Sequence, residues 1–509
     1  MPLALGIDLS TQGVTALLVD TDRGALLARA RAAFGPDFPS RGHPDGFLPG
    51  GASGEVHADP LLWLDGLQLA LDRLAASADL SQVAALAVSG QQHGSVYLAD
   101  GFATALADAD SSQSLAAKLA PFLSRRTSPI WMDSSTGEDC QAIAAALGGH
   151  QAACDLTGST VTARFTGPQI RRFARLEPAA WSRTARVHLV SSFATSILAG
   201  RDAPIDTGDG AGMNLMDLAA GAWSPAALAA TAPDLARRLP PIVPGPTLVG
   251  PVSAYLVARH GFSPRCQVVV GTGDNPSSLV GMGASRPGQV VVSLGTSDTL
   301  FAAIDGARTD PAGLGHAFGN PLGGTMSLVC VRNGSLARDA IRRELGLADW
   351  SAFAAAIDAA PPAQSAILPL EQDEITPRRP AGRVAVGAAV SGPALARAAV
   401  EGQALSLRLH SRWVGTPTTR LLLTGGASEN PAIAQVFADV FGAPVLRLAV
   451  SDSAALGAAL RAAHAACGSS LADLEAAFCQ PAPGIVQPRS HLAPAYAALE
   501  SALAAALRA

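Results

Sequence analysis

The 509-residue chain reads as an α/β protein made of two domains of similar design facing each other across a cleft. Three observations predict this. Runs rich in β-branched residues alternate with Ala/Leu-rich helical stretches. A strand, polar turn, strand pattern occurs early in each half, at Ala4 to Asp20 (ALGIDLSTQGVTALLVD) and again at Val290 to Ile304 (VVVSLGTSDTLFAAI). The proline-rich segment Leu239 to Pro251 lies near the midpoint and reads as a linker, so the domains are set at 1–248 and 249–509.

The elements follow in order. Leu61 to Ala76 has helical spacing, with Leu61, Leu64, Leu67, Leu71 and Leu74 on one side. Val83 to Ser89 is a short apolar strand running into SGQQHGS. Gly35 to Gly54 is rich in Gly and Pro and is expected to be a long surface loop. Past the midpoint, Gln267 to Gly271 is an apolar strand followed by GTGDNPSS. Leu421 to Asn430 is a strand entering a glycine turn, Pro431 to Phe441 a helix, and the tail from Tyr496 an Ala/Leu helix.

Composition removes whole classes of chemistry. Of 36 Lys+Arg residues only Lys118 is a lysine, leaving 35 arginines. A Walker P-loop, a protein-kinase fold and Schiff-base catalysis each need a lysine in a defined setting. Lys118 sits in SLAAKLAPFL, which offers none. Any phosphate handled here must therefore meet metal, backbone N–H groups, hydroxyls or arginine. A net charge of −5 with scattered arginines argues against nucleic acid as a partner. The six cysteines show no paired or zinc spacing. The N-terminus lacks the features of a signal peptide, and prolines break the longest uncharged stretch, Leu239 to Ala258, so no membrane segment is expected. A cytoplasmic protein follows.

Several segments carry the residue types that chemistry needs. A turn rich in Gly, Ser and Thr aims successive backbone N–H groups at one point and makes an anion site. Ser10 and Thr11 occupy the first turn; Ser293, Thr296 and Ser297 lie at the second. An ordinary hairpin satisfied by its own hydroxyls is the alternative. Asp8, ending the first strand, is suited to hold Mg²⁺ through water. In Gly271–Thr272–Gly273–Asp274–Asn275–Pro276, an acid follows a buried strand, where ligands sit in α/β sheets. It could take a proton from an attacking hydroxyl, or simply cap a helix. The glycines of Leu423 to Asn430 would let a flat ligand lie against the backbone, or only turn the chain. Beside His93, Gln91 and Gln92 form a polar set suited to a polyol, and Arg164 could reach a hydroxyl or phosphate. Asp133 is expected to order a loop through backbone N–H groups, with Trp131 beside it packed. Asp206 and Asp209 fit a metal pair or a glycine-rich turn equally well.

Taken together, SGQQHGS, SPIWMDSST, LVSSFATS, TGDNPSSL, SLGTSDTLF and TGGASEN give the chain a resemblance to the FGGY carbohydrate kinases. The resemblance runs from Gly6 to the segment near Leu456, and is greatest to the eukaryotic-type members that act on D-xylulose. Bacterial-type members usually carry Met-His where this chain has Gln92–His93. The resemblance implies two actin-like (ribonuclease H-like) ATPase domains flanking a catalytic cleft, with ATP and Mg²⁺ as cofactors and D-xylulose as substrate. It implies that Ser10, Thr11 and Gln12 form one phosphate turn, with Asp8 near Mg²⁺, and that Ser293 to Ser297, including Gly295, Thr296 and Ser297, form the other. Trp350, Gly425, Gly426, Glu429 and Asn430 would hold adenosine. Gln92, His93, Arg164, Asp274 and Asn275 would contact the ketose, with Asp274 as catalytic base. A homodimer fits this expectation. The competing readings are a kinase of ribulose, ribitol or erythritol, and an actin-like ATPase that binds another protein.

Overall fold

The computed structural model describes residues 3–108, 110–448 and 452–508. They divide into two compact units. The first takes Met1–Gly283, Ala317–Thr325 and Ser451–Cys479; the second takes Ala284–His316, Met326–Val450 and Gln480–Ala509.

In the first unit a sheet runs in the order Leu248–Pro251, Gln267–Val269, Val83–Gly90, Leu3–Leu9, Gly13–Asp20, Ala25–Ala33. Leu3–Leu9 pairs antiparallel with Gly13–Asp20 and parallel with Val83–Gly90. Its near-continuous apolar run is what a strand covered on both faces requires. Helix Pro60–Ala75 packs against Gly13–Asp20 and Ala25–Ala33, and helix Ser453–Cys467 packs against Leu3–Leu9 and Val83–Gly90. The first helix starts where Asp59 Oδ1 accepts the Leu61 N–H at 2.9 Å and Pro60 presets the first turn. It buries Leu64, Leu67, Leu71 and Leu74, each contributing about 1.5–3 kcal/mol. The second helix lies so close to the strand that a Cβ on Gly6 would stand 1.9 Å from the Ala455 carbonyl oxygen.

That second helix also crosses helix Asp274–Gly281 through glycine. A Cβ on Gly457 would lie 1.8 Å from the Ser277 carbonyl oxygen, and one on Gly281 would lie 1.9 Å from that of Ser453. A stretch from late in the sequence is thus built into the first unit.

The proline-rich segment does not separate the units. Ile242–Val243 pairs with Ile205–Asp206, and Leu248–Pro251 pairs antiparallel with Gln267–Val269. Proline is tolerated there because Leu248–Pro251 is an edge strand. The first unit accordingly runs on to Gly283, past the 248/249 position read from the sequence. Gly35 to Gly54 contains only the end of a short helix, Phe34–Asp37, and a single 3-10 turn.

The second unit repeats the central arrangement. Gln289–Leu294 pairs antiparallel with Asp298–Ile304 and parallel with Arg420–Thr424. Val445–Leu448 and Pro481–Val486 extend the sheet beyond Arg420–Thr424. Helix Pro393–His410 is buried along most of its length within this unit's core. Each unit therefore holds a hairpin beside a parallel strand, as the paired strand-turn-strand segments predict. Among the described residues, no helix is long and apolar enough to cross a membrane.

Candidate active site

In the first unit, three strands deliver the candidate residues to one end of the sheet. Leu3–Leu9, Val83–Gly90 and Thr272–Gly273 run parallel, with Asp8 and Thr272 both in register with Ser89. Their C-terminal ends carry Asp8, Gln91 to His93, and Asp274. The approach is close enough to demand glycine. A Cβ on Gly273 would meet Gln92 Cγ at 2.3 Å, and one on Gly90 would meet the Ser191 nitrogen at 2.6 Å.

Asp274 opens helix Asp274–Gly281, where the unpaired N–H groups favour an anion. All its hydrogen bonds fall on Oδ1: from the Asn275 N–H at 2.9 Å, the Asn275 amide at 3.2 Å and the Gln92 N–H at 3.3 Å. Among the described residues the other oxygen, Oδ2, accepts none. Burial pushes this carboxyl up to about 6, against the pull of the hydrogen bonds from Asn275 and Gln92. Gln92 also accepts from Asn275 Nδ2 at 2.8 Å, while its own Nε2 is buried without a partner among the described residues.

Asp8 faces the same region. Burial first, then the Asp274 carboxylate and more weakly Asp452, push it up to about 7, with Ser89 working the other way. Its Oδ1 is buried with no hydrogen-bond partner among the described residues. An orphaned carboxylate oxygen beside a second acid fits a divalent cation, and Mg²⁺ can be held by one carboxylate because it keeps its waters. No group of three or more His, Cys, Asp or Glu residues forms a metal cage among the described residues.

His93 adopts φ 69°, a left-handed conformation uncommon outside glycine. Its Nδ1 lies 2.8 Å from the Gly212 carbonyl oxygen. A carbonyl only accepts, so Nδ1 carries the hydrogen and Nε2 is left as the acceptor. Burial, and secondarily the Arg164 guanidinium, drive its pKa down to about 3, so the ring is neutral. The imidazole stacks on Phe165, with centroids 4.1 Å apart. The Arg164 guanidinium lies 5.6 Å from the same Phe165 ring.

The first turn distributes its hydroxyls unequally. Ser10 closes the turn itself, donating both N–H and Oγ to the Gly13 carbonyl at 2.9 and 3.0 Å. Thr11 Oγ1 donates to Gln91 at 3.2 Å and accepts from the Trp131 indole at 2.9 Å. Trp131 is 45% exposed, so it is not the packed residue that its neighbours in the sequence suggest. With Ser10, Thr11, Gln12, Arg31 and Phe47 it lines a cavity of about 550 Å³. No signal in the sequence distinguished this tryptophan from a core residue.

The remaining acids have structural work. Asp133 receives the Val56 N–H at 3.0 Å, the Ser135 N–H at 2.9 Å and the Gln169 amide at 2.8 Å, ordering its loop as expected. Asp206 receives the Asp209 N–H at 2.9 Å, and Asp209 receives the Ser191 hydroxyl. Burial, then Asp206, raise the Asp209 carboxyl well above its ordinary value, with buried Arg461 acting against the rise.

In the second unit, the turn after Gln289–Leu294 carries Gly295, Thr296 and Ser297, and the parallel strand Arg420–Thr424 ends beside it. Gly425 has φ 85°, and a Cβ there would lie 2.5 Å from the Leu294 carbonyl oxygen. Gly426 has open space around it, and Glu429 is exposed. Asn430 caps helix Pro431–Phe441 through the Ala432 and Ile433 N–H groups at 3.1 and 3.3 Å, and donates Nδ2 to the Trp350 carbonyl at 3.3 Å. Trp350 is 43% exposed and meets Phe353 edge-on. An open glycine, a cap and an exposed indole fit a flat heterocycle with polar edges.

Two α/β units of matching design, each with a hydroxyl-bearing turn at strand ends, define an actin-like ATPase fold. Residues 126–281 match the N-terminal domain, and residues 290–466 the C-terminal domain, of the FGGY family of carbohydrate kinases. The chain belongs to that family. A xylulose kinase of Rattus norvegicus is 41% identical over 519 aligned residues, spanning 97% of this chain and 96% of its own. One from Arabidopsis thaliana is 38% identical, spanning 91% and 87%. The crystal structure of a xylulose kinase from Bifidobacterium adolescentis superposes with a TM-score of 0.78 at 26% identity, covering 98% of this chain and 99% of that one.

Proposed function

We propose that this carbohydrate kinase transfers the γ-phosphoryl group of ATP to the terminal hydroxyl of D-xylulose, giving D-xylulose 5-phosphate and ADP. The observation that carries the mechanism is Asp274, whose hydrogen bonds all fall on Oδ1 and whose carboxyl lies near 6. That leaves Oδ2 to take the proton of the attacking hydroxyl while the base is ionised at neutral pH. The sugar oxygen attacks the γ-phosphorus as its O–H bond breaks, and the bond to the β-phosphate oxygen breaks with the electrons leaving on ADP. Neutral His93 accepts from a ketose hydroxyl through Nε2. Gln92, Asn275 and Arg164 supply further contacts.

Asp8 would hold Mg²⁺ through water, and the metal when bound neutralises charge on the transferred group. The backbone N–H groups of Thr11 and Gln12, in the turn that Ser10 closes, and the donors of Gly295, Thr296 and Ser297 in the other turn serve phosphate oxygens. Trp350, Gly425, Gly426, Glu429 and Asn430 serve adenosine. Positioning and electrostatics carry the catalysis, so no lysine is needed. The xylulose kinases named above support D-xylulose as the substrate. Six cysteines, none of them in a disulfide, support a reducing compartment such as the cytoplasm.

The test is coupled ADP release with D-xylulose, ribulose, ribitol and erythritol. D-xylulose should give the highest kcat/KM. ADP release that no pentulose raises above the background hydrolysis rate refutes the proposal.

A further inference from the structure

We propose that the buried Arg338–Asp298 ion pair, with Gln403 and Gly334 braced against it, sets the conformation of the Gly295–Ser297 turn that receives nucleotide phosphate. The inference rests on reading that turn as a phosphate cradle. Arg338 grips Asp298 with both nitrogens, Nη1 to Oδ2 at 2.7 Å and Nη2 to Oδ1 at 2.9 Å. Both side chains are fully buried. Asp298 directly follows Ser297, so its carboxylate fixes one end of the turn.

The helix that carries Arg338, Ser335–Glu344, fixes the turn's carbonyls. The Gly334 N–H donates to the Thr296 carbonyl at 3.1 Å, and the Ser335 N–H to the Gly295 carbonyl at 2.8 Å. In a planar trans peptide, the C=O of one residue points opposite to the N–H of the next. The N–H groups of Thr296 and Ser297 are therefore turned away from the helix, together, as an anion requires. Gln403 ties the parts together. It accepts from Arg338 Nη1 at 3.0 Å and donates to the Asn333 and Gly334 carbonyls at 2.8 and 3.2 Å. Gly334 leaves no slack. A Cβ there would stand 2.7 Å from Asp298 Oδ1, from the Gly295 oxygen and from the Thr296 oxygen. The first-unit turn closes on its own Ser10 hydroxyl; the second is held from outside.

The four are positioning residues, and kinetics of the full chain test the role. Removing one ion-pair partner strands the other's charge, so the variants are Gly334→Ala, Gln403→Met and the charge-free double Asp298→Asn with Arg338→Met. The expected result is a KM for ATP raised about tenfold or more, with the KM for the pentulose within about twofold, in variants that melt cooperatively. A KM for ATP within twofold in the folded variants overturns the inference, as does an equal rise in both KM values. Thr296→Pro, which removes a turn N–H, separates the two readings. If it raises the KM for ATP while the brace variants do not, the bracing fails alone. If it too is silent, the phosphate cradle fails and the inference with it.

Discussion

The backbone N–H of Gln92 reaches Oδ1 of Asp274 at 3.3 Å, across 182 residues of chain. The side-chain oxygen of the same glutamine accepts from Asn275 at 2.8 Å. One residue at the exit of a strand thus orients both the acid and its neighbour at the start of a helix. The carboxylate is held by one oxygen and offers the other.

With burial holding the Asp274 carboxyl near 6, the pH profile follows. The base works ionised, so with saturating Mg²⁺ keeping Asp8 ionised, kcat/KM for the sugar should be level at pH 7 and above, fall by half near pH 6 and drop about tenfold per unit below it. Asp274→Asn should lose roughly 10²-fold or more in kcat, keep ATP binding and lose this acid limb. Initial-rate kinetics at saturating Mg²⁺ and ATP check it. An intact limb in the asparagine variant assigns the proton to another group.

His93 is neutral throughout the working range, because burial drives its pKa down to about 3. It should contribute no limb to the profile. His93→Asn keeps a residue that tolerates the positive φ of this position and removes the ring acceptor. The expected effect is a KM for the ketose raised about tenfold or more, with a smaller change in the KM for ATP. Substrate titrations against both partners measure the contrast.

Asp8 should trade stability for function. Its carboxyl is raised in the folded state to about 7, so the folded protein holds that proton more tightly than the unfolded chain does. The charged form is penalised above pH 7, and the penalty vanishes below the ordinary carboxylate value near pH 4. Asp8→Asn should therefore stabilise the metal-free protein by about 1–2 kcal/mol at pH 8, with the gain disappearing by about pH 4. Turnover should fall by roughly 10²-fold or more. Thermal melts across pH, paired with activity, test both halves.

Gly457→Ala should damage the site from behind. The added Cβ would stand 1.8 Å from the Ser277 carbonyl oxygen and 2.9 Å from the Gly281 nitrogen. The crossing helices must separate, at a cost of about 1–3 kcal/mol or more. Because Ser277 and Asp274 share a helix, kcat should fall along with Tm. Unfolding curves and steady-state rates on one preparation decide whether the two move together.

The hairpins and the helices near 61–76, 431–441 and at the tail were legible because their signals are local. Gly13 sits where a turn meets a strand and Asp274 where a strand meets a helix, and alternation or spacing over ten residues marks such places. The proline-rich segment misled because two- to four-residue strands leave no periodic trace, and edge pairing tolerates proline. Gln92 and Asn275 were named from motifs, but their joint grip on Asp274 depends on pairs of strands distant in sequence. Trp131 was read as packed, and Gly334 and Arg338 escaped notice, for the same reason. A tryptophan near an acid or an arginine in a helix is ordinary until its partner, Thr11 or Asp298, is beside it. Ser10 was rightly placed in a turn, yet its hydroxyl is spent closing that turn.

The helix Ser453–Cys467 wedged against Gly6 and Gly457's neighbours has a consequence for how the protein is made. On the ribosome, the first unit cannot finish with what has already emerged. Its strands and the Asp274-bearing helix must wait, with one face bare, until residues near 467 leave the exit tunnel. At about 5–20 residues per second, nearly two hundred further residues take roughly 10 to 40 seconds. During that interval the apolar surface meant for this helix is open to chaperones or to another nascent chain. Synthesis speed through the second half of the message therefore bears on the yield of active enzyme.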